Sequence, residues 1–358
     1  MNGKIKTSIV CGVFLLSLAL VPTTAMAKKK ACEDLKTSDY GDPKTGTTGK
    51  ECTIPITDIH LTQYAVGKAA VECKIKKVDS KVRKYLDKHD KKYKGQLSSV
   101  SASSMVDALN DYLDADNRHI PLVRGRKGDD GNKTFYTTDH HHLGAAVWNY
   151  EGFQNLSDKK RKKVKFIATV KDDLKDKASW DSFWDTMIAE FYTWPYDNNG
   201  KPLADSRFNS EDGPYPGDFG VVFEEAHNDK YRSISRWVRE NCLYLKDGKT
   251  QCKDIYDRIG VTPKAVDFME FVWANYLREK LPWPASETEA HDSIFLSLYS
   301  QTPGLMRAPE ALEYLKTHNP NPEKYKAEDY GYHRDGLYLY LNFDGDICEE
   351  ETDMIITP

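Results

Sequence analysis

Several diagnostic signatures are missing from this sequence. It has no Cys-x-x-Cys pair, no His-Glu-x-x-His, no EF-hand spacing and no internal repeat. Thiolate zinc sites, zinc proteases of that type, EF-hand calcium binding and solenoid folds therefore have no support. A dominant charge is missing too: 51 Lys and Arg face 55 Asp and Glu, a net charge of −4 in 358 residues. A protein that coats duplex nucleic acid with its whole surface would need a large basic excess. The acidic residues Asp344, Asp346, Glu349, Glu350 and Glu351 read as a solvated tail, and Glu287, Glu289 and His291 form no metal motif. Apolar material is ample, with 39% hydrophobic and 11% aromatic residues, enough to build a core and exclude dominant disorder.

The apolar run over residues 9–21 is too short to span a membrane comfortably. Lys4 and Lys6 precede it and Ala25-Met26-Ala27 follows, the layout of a secretory signal cleaved after Ala27. The sequence thus predicts a secreted or periplasmic protein with no membrane span once residues 1–27 are removed. Loss of the two lysines brings the charge to about −6.

Six cysteines then remain: Cys32, Cys52, Cys73, Cys242, Cys252 and Cys348. An even number in an oxidising compartment points to disulfides. Cys242 and Cys252 flank a short excursion with a Gly turn and are expected to pair locally. Cys32 with Cys52 could close the N-terminal loop, which would leave Cys73 with Cys348.

Beyond the signal, residues 28–51 read as a polar leader held by its cysteines. Residues 53–61 alternate as a strand, and Ser104 begins a capping-box pattern before the apolar stripe Met105, Leu109, Tyr112 and Leu113. Two β-rich runs, 119–124 and 133–140, flank a Gly-rich stretch and predict a hairpin. Leu143, Ala146, Val147 and Tyr150 then recur at helical spacing, so strand passes directly into helix at Asp139, His140, His141 and His142. Another strand is expected over 164–170, and helices over 181–192, 231–243, 263–280 and 286–299. The Gly- and Pro-rich stretch 198–220 reads as a long loop. The basic run 158–163 reads as a solvated surface, with a local anion or nucleic-acid contact as the sharper alternative.

A strand feeding a helix is a natural anion site, because the first helical N–H groups are unpaired and the helix dipole favours negative charge there. Imidazoles at that point could donate to phosphate oxygens, exchange protons near neutral pH or ligate a divalent metal. The plain alternative is that Asp139 caps the helix, one histidine packs in the core and the others are hydrated. Asp139, His140 and His142 are the candidate metal ligands, and a divalent ion is the expected cofactor if there is one.

Taken together, residues 54–67 (IPITDIHLTQYAVG), Ile120 to Val123, 135–146 (FYTTDHHHLGAA), Asp229 to Ser233 with Trp237 to Arg239, and Glu270 to Arg278 resemble the ParB-like nuclease family of the ParB/sulfiredoxin superfamily, over roughly residues 52–280. The resemblance implies an α+β fold: a small mixed sheet with a strand-loop-helix phosphate site, followed by a largely helical C-terminal portion. In domain terms it implies a core over 52–155 and a mainly helical extension over 156–280, and the remaining 281–358 reads as a helical C-terminal region with the acidic tail. It also implies phosphoryl or phosphodiester chemistry on nucleic acid or nucleotide. Asp139, His140, His141 and His142 match the family's Asp-His-His-His-Leu signature, and Thr62, Gln63 and Gly67 its Thr-Gln-x-x-x-Gly turn. No counterpart of the sulfiredoxin cysteine stands in the histidine signature, so sulfinic-acid repair is unsupported. The helix-turn-helix of partition proteins is not found either.

Further phosphate- or substrate-binding candidates are Lys68, beside the Thr-Gln turn, Arg124, at the end of a hairpin strand, and Asp229, Tyr231 and Arg232, before a helix. Each has a plainer role open to it as a turn, cap or surface pair. A non-catalytic module binding a phosphate-bearing ligand, nucleotide included, is the alternative to an enzyme.

Overall fold

The computed structural model describes residues 29–42, 47–115, 118–128, 131, 133–240 and 268–283, with shorter pieces between 297 and 318. The signal, Cys242, Cys252, Cys348, the expected 286–299 helix over most of its length and the acidic tail lie outside the described residues.

The architecture is α+β. Strands β1 (Glu51–Pro55), β2 (Ile120–Lys127), β3 (Lys133–Thr137) and β4 (Lys165–Asp173) make one mixed sheet in the order β1-β4-β2-β3. β2 and β3 are the expected hairpin, antiparallel with Leu122 opposite Thr137. β4 runs antiparallel to β1 and parallel to β2. Its central place explains its composition: Phe166, Ile167, Ala168 and Val170 are all fully buried, on both faces. β1 stops at Pro55 rather than continuing to residue 61, and the chain turns through residues 56–58. The residues beyond β1 thereby leave that sheet edge and pair beside β3 at the other, where the His60 N–H donates to the Phe135 carbonyl and the His60 carbonyl accepts the Thr137 N–H.

The described helices are α1 (Lys68–His89), α2 (Ala102–Leu113), α3 (His141–Trp148), α4 (Glu151–Gln154), α5 (Asp158–Arg161), α6 (Trp180–Ala189), α7 (Lys230–Glu240), α8 (Met269–Lys280) and α9 (Pro309–Thr317). On α1, Val71, Val78, Val82 and Leu86 form one buried stripe at helical spacing. α2 starts one turn earlier than its capping-box pattern predicts. The Ser101 hydroxyl accepts the Ser104 N–H at 3.1 Å, so Ser104 lies inside the helix it was expected to open.

Two apolar clusters result. The larger gathers the sheet, α1 to α4 and α6. The smaller joins α7, α8 and α9 around Trp273 and includes Cys73 and Trp194. Residues 28–51 are more than a tethered leader where they are described: Cys32, Leu35 and Tyr40 enter the larger cluster, and Cys32 is disulfide-bonded to Cys52 on β1. Cys73 is disulfide-bonded as well. The 198–220 stretch likewise packs rather than hangs free, placing Leu203, Phe208, Tyr215 and Phe219 in the core. Phe219 lies so close against Gly144 of α3 that a side chain there would collide with its ring. Among the described residues no helix is long and apolar enough to cross a membrane.

Candidate functional site

The junction between β3 and α3 is built from local constraints. The Thr137 hydroxyl donates to the Asp139 carbonyl at 2.5 Å, and the Asp139 carboxylate accepts the His140 N–H at 2.6 Å. His140, the residue before the first helical turn, sits at φ 66° and ψ 20°, in the left-handed region. That conformation is uncommon outside glycine, with His, Asn and Asp its usual exceptions. It turns the chain sharply enough to start α3 at His141 and leaves Asp139 and His140 half-buried while His141 and His142 go inside.

The two inner imidazoles make parallel contacts with one segment. His141 Nε2 accepts the Thr62 N–H at 3.1 Å, and His142 Nε2 accepts the Gly67 N–H at 3.0 Å. A ring nitrogen that accepts carries no proton, so each ring is neutral and carries its proton on Nδ1. The expected Thr-Gln-x-x-x-Gly turn is thus bound to the histidine signature at both ends. Thr62 adds a 2.6 Å bond from its hydroxyl to the Thr137 carbonyl, while its own carbonyl receives Thr193 Oγ1 and the Trp194 N–H. Gly67 has no room for a side chain, since a Cβ would lie 2.5 Å from Ser233 Oγ and 2.7 Å from the Ser233 nitrogen.

Behind the same segment stand buried charges. Arg232 donates to Gln63 Oε1 at 3.0 Å and to the Ala65 carbonyl at 2.9 Å, pairs with Glu270 at 3.1 Å and lies over the Phe271 ring. Asp229 accepts the backbone N–H groups of Tyr231 and Arg232 and pairs with Arg278 at 2.8 Å. Burial pushes the Asp229 carboxyl above its ordinary value, and the Arg278 and Arg232 guanidinium groups pull against that shift. Glu270 and Arg278 had no sequence-based role, although charges set directly at the two ends of the mainly apolar run 271–277 are a legible signal of buried pairing.

The structure therefore brings together Thr62, Gln63, Gly67, His141, His142, Asp229 and Arg232. Lys68 joins at the rim, its N–H bonded to Asn228 and its ammonium 3.3 Å from Glu225. Tyr231 turns instead toward the Leu281 carbonyl and Trp283. Arg124 is buried on the leader side, paired with Asp173 at 3.4 Å and lying over Tyr40. Among the described residues, no three His, Cys, Asp or Glu side chains are grouped to hold a metal ion.

The family described as "Putative ParB-like nuclease" matches residues 52–279, and the chain belongs to that family. Its boundaries coincide with β1 and the end of α8, so both sides of the 62–67 segment fall within the match. Among solved structures, protein Atu1540 from Agrobacterium tumefaciens is similar at 19% identity and a TM-score of 0.43, covering 74% of this chain and 94% of its own. No curated protein matches.

Proposed function

We propose that this protein hydrolyses phosphoester bonds of nucleic acid or nucleotide, in an oxidising compartment outside the cytoplasm. The reading is carried by the division of roles at the β3–α3 junction. His141 and His142 hold backbone amides through Nε2, whereas Asp139 and His140 stay half-buried at the start of the helix. The phosphate group would lie at the N-terminal end of α3, where the dipole favours negative charge. Water attacks phosphorus and forms the new P–O bond, the bond to the leaving oxygen breaks, and His140 carries the water's proton to that oxygen. Asp139 orients His140. Lys68 would exchange Glu225 for a phosphate oxygen. If a divalent ion takes part, Asp139 and His140 would hold it and the ion would stabilise the attacking or leaving oxygen; His142 could reach it only through Nδ1. The Cys32–Cys52 disulfide and the bonded Cys73 support folding outside the cytoplasm.

The test is an activity screen of the oxidised chain beginning at residue 28 against single-stranded DNA, RNA and nucleotides, with and without divalent ions. His140→Gly keeps the left-handed turn, since glycine adopts it freely, and should lower turnover by about 10² or more. Full turnover in that variant overturns the assignment. Saturable nucleotide binding with no turnover in the parent chain would instead assign a non-catalytic phosphate-binding module.

A further inference from the structure

The net charge of the chain conceals a strongly uneven distribution. Residues 68–94, α1 and its exit, carry ten lysines and Arg83 against Glu72, Asp79, Asp87 and Asp90, a local charge of +7 in a chain of −4. The lysines are also ordered. Lys77, Lys81, Lys84 and Lys88 follow one another at steps of four, three and four, which at 3.6 residues per turn places them within about 60° of the helix circumference. They rise about 17 Å along the axis. Lys81, Lys84 and Lys88 are exposed and Lys77 is half-buried. Ion pairs elsewhere on α1 engage Lys68 and Arg83, whereas these four ammonium groups have no carboxylate partner among the described residues. Glu72 and Asp79 lie on the far side of the helix, and Asp87 alone borders the stripe.

A helix that only needs solubility mixes its signs, because like charges three and four residues apart repel. Lys88 also complements the helix dipole at the C-terminal turn, but Lys77, Lys81 and Lys84 lie too far inside to do so. The stripe also runs toward a second basic segment. α2 packs against both α1 and α5, and on its first turn Ser103 receives the Lys160 ammonium at 2.8 Å. The 158–163 run, distant in sequence, is thereby brought to the side of the fold that α1 and α2 share. Beside the stripe, Tyr85 and His89 form a ring pair with centroids 4.4 Å apart, a surface on which a base can stack.

We propose that this face of α1 is a track for the backbone of a single-stranded polynucleotide, with Lys77, Lys81, Lys84 and Lys88 neutralising successive phosphates. Regular cation spacing, a flanking aromatic pair and the absence of exposed apolar side chains along the stripe favour a nucleic-acid strand over a membrane surface. α1 follows directly on Gly67, the residue held by His142, so a strand on this track points along the helix toward the β3–α3 junction. Only the step that makes the bound strand the substrate rests on the function proposed above.

The experiment uses the oxidised chain from residue 28 and a fluorescein-labelled 20-mer of deoxythymidylate, titrated by anisotropy at several salt concentrations. In the variant Lys77→Gln/Lys81→Gln/Lys84→Gln/Lys88→Gln, affinity at low salt should fall at least tenfold. The slope of log K against log salt should flatten by about 2 to 3, at about 0.7 per lost phosphate contact. Melting should be unchanged, since the four ammonium groups make no described ion pair or hydrogen bond and glutamine keeps most of each side chain's stem. No binding of the 20-mer by the parent chain, an unchanged slope in the variant, or equal lysine-dependent binding to vesicles containing a quarter anionic lipid would each overturn the track. Hydrolysis of bis(p-nitrophenyl) phosphate, too small to reach the stripe, reports separately on the histidine junction. Its absence counts against the proposed hydrolase and leaves the lysine-dependent binding to be judged alone.

Discussion

Compared with the α3 side of residues 62–67, where two neutral imidazoles accept backbone N–H groups, the α7–α8 side holds the same segment with buried ion pairs. The difference teaches what each side can tolerate. An imidazole acceptor is lost when its nitrogen gains a proton or is removed, but what it leaves behind is one unsatisfied amide. A buried guanidinium is costly to place and becomes costlier still when its carboxylate is taken away, since a bare charge remains in low dielectric. The charged side should therefore be the more brittle, and the neutral side the one whose residues can be altered without collapse.

The largest expected effect is that of Glu270→Ala, which strands Arg232 and should lower stability by about 3–5 kcal/mol in urea unfolding. Replacing both partners, Arg232→Met with Glu270→Leu, should lose clearly less than the two single changes summed, and additivity would break the claim of a coupled pair. Next come His141→Ala and His142→Ala, each leaving a buried N–H unpaired and expected to cost about 1–3 kcal/mol. If either destabilises as much as Glu270→Ala, the contrast between the two sides fails. Gly67→Ala should fall in the same range, about 1–3 kcal/mol, because Ser233 backbone must give way.

The smallest effect lies away from both sides, at the His60 contact with the 198–220 stretch. His60 meets Asp212 at 2.9 Å and Glu211 at 3.3 Å, and the hydrogen bond from His60 holds the Asp212 carboxyl below its ordinary value. A depressed carboxyl pKa contributes stability that is full above the unfolded value, about 3.9, and is lost as pH falls through the lower folded value. Melting of Asp212→Asn and the parent chain should thus differ slightly at pH 6, with the difference shrinking progressively as pH falls below about 4.

Much of the sheet was legible in the sequence because its elements have one period each. The hairpin, β4 and the strand-to-helix passage at Asp139 all sit where alternation or helical spacing places them. α1 was not singled out: its stripe of Val71, Val78, Val82 and Leu86 is thin and lies among lysines, so its mean polarity resembles a linker. The 198–220 stretch was misleading in the opposite way, since its glycines and prolines shape turns that still deliver four aromatic and aliphatic side chains to the core. At the site, sequence placed the histidines together but not their orientations. Which nitrogen accepts, and from which amide, depends on residues some 75 to 80 positions away, as in the pairs Thr62 with His141 and Gly67 with His142.

The strand order has a consequence for how the chain assembles. Of the described strands β4 is made last and sits between β1 and β2, so β1 has no described ladder partner until residues 165–169 have emerged. Only the β2–β3 hairpin can close early. A chain delivered from its N-terminus would hold β1 waiting through more than a hundred residues of synthesis, and slow, late completion of the sheet is the kinetic result of that insertion.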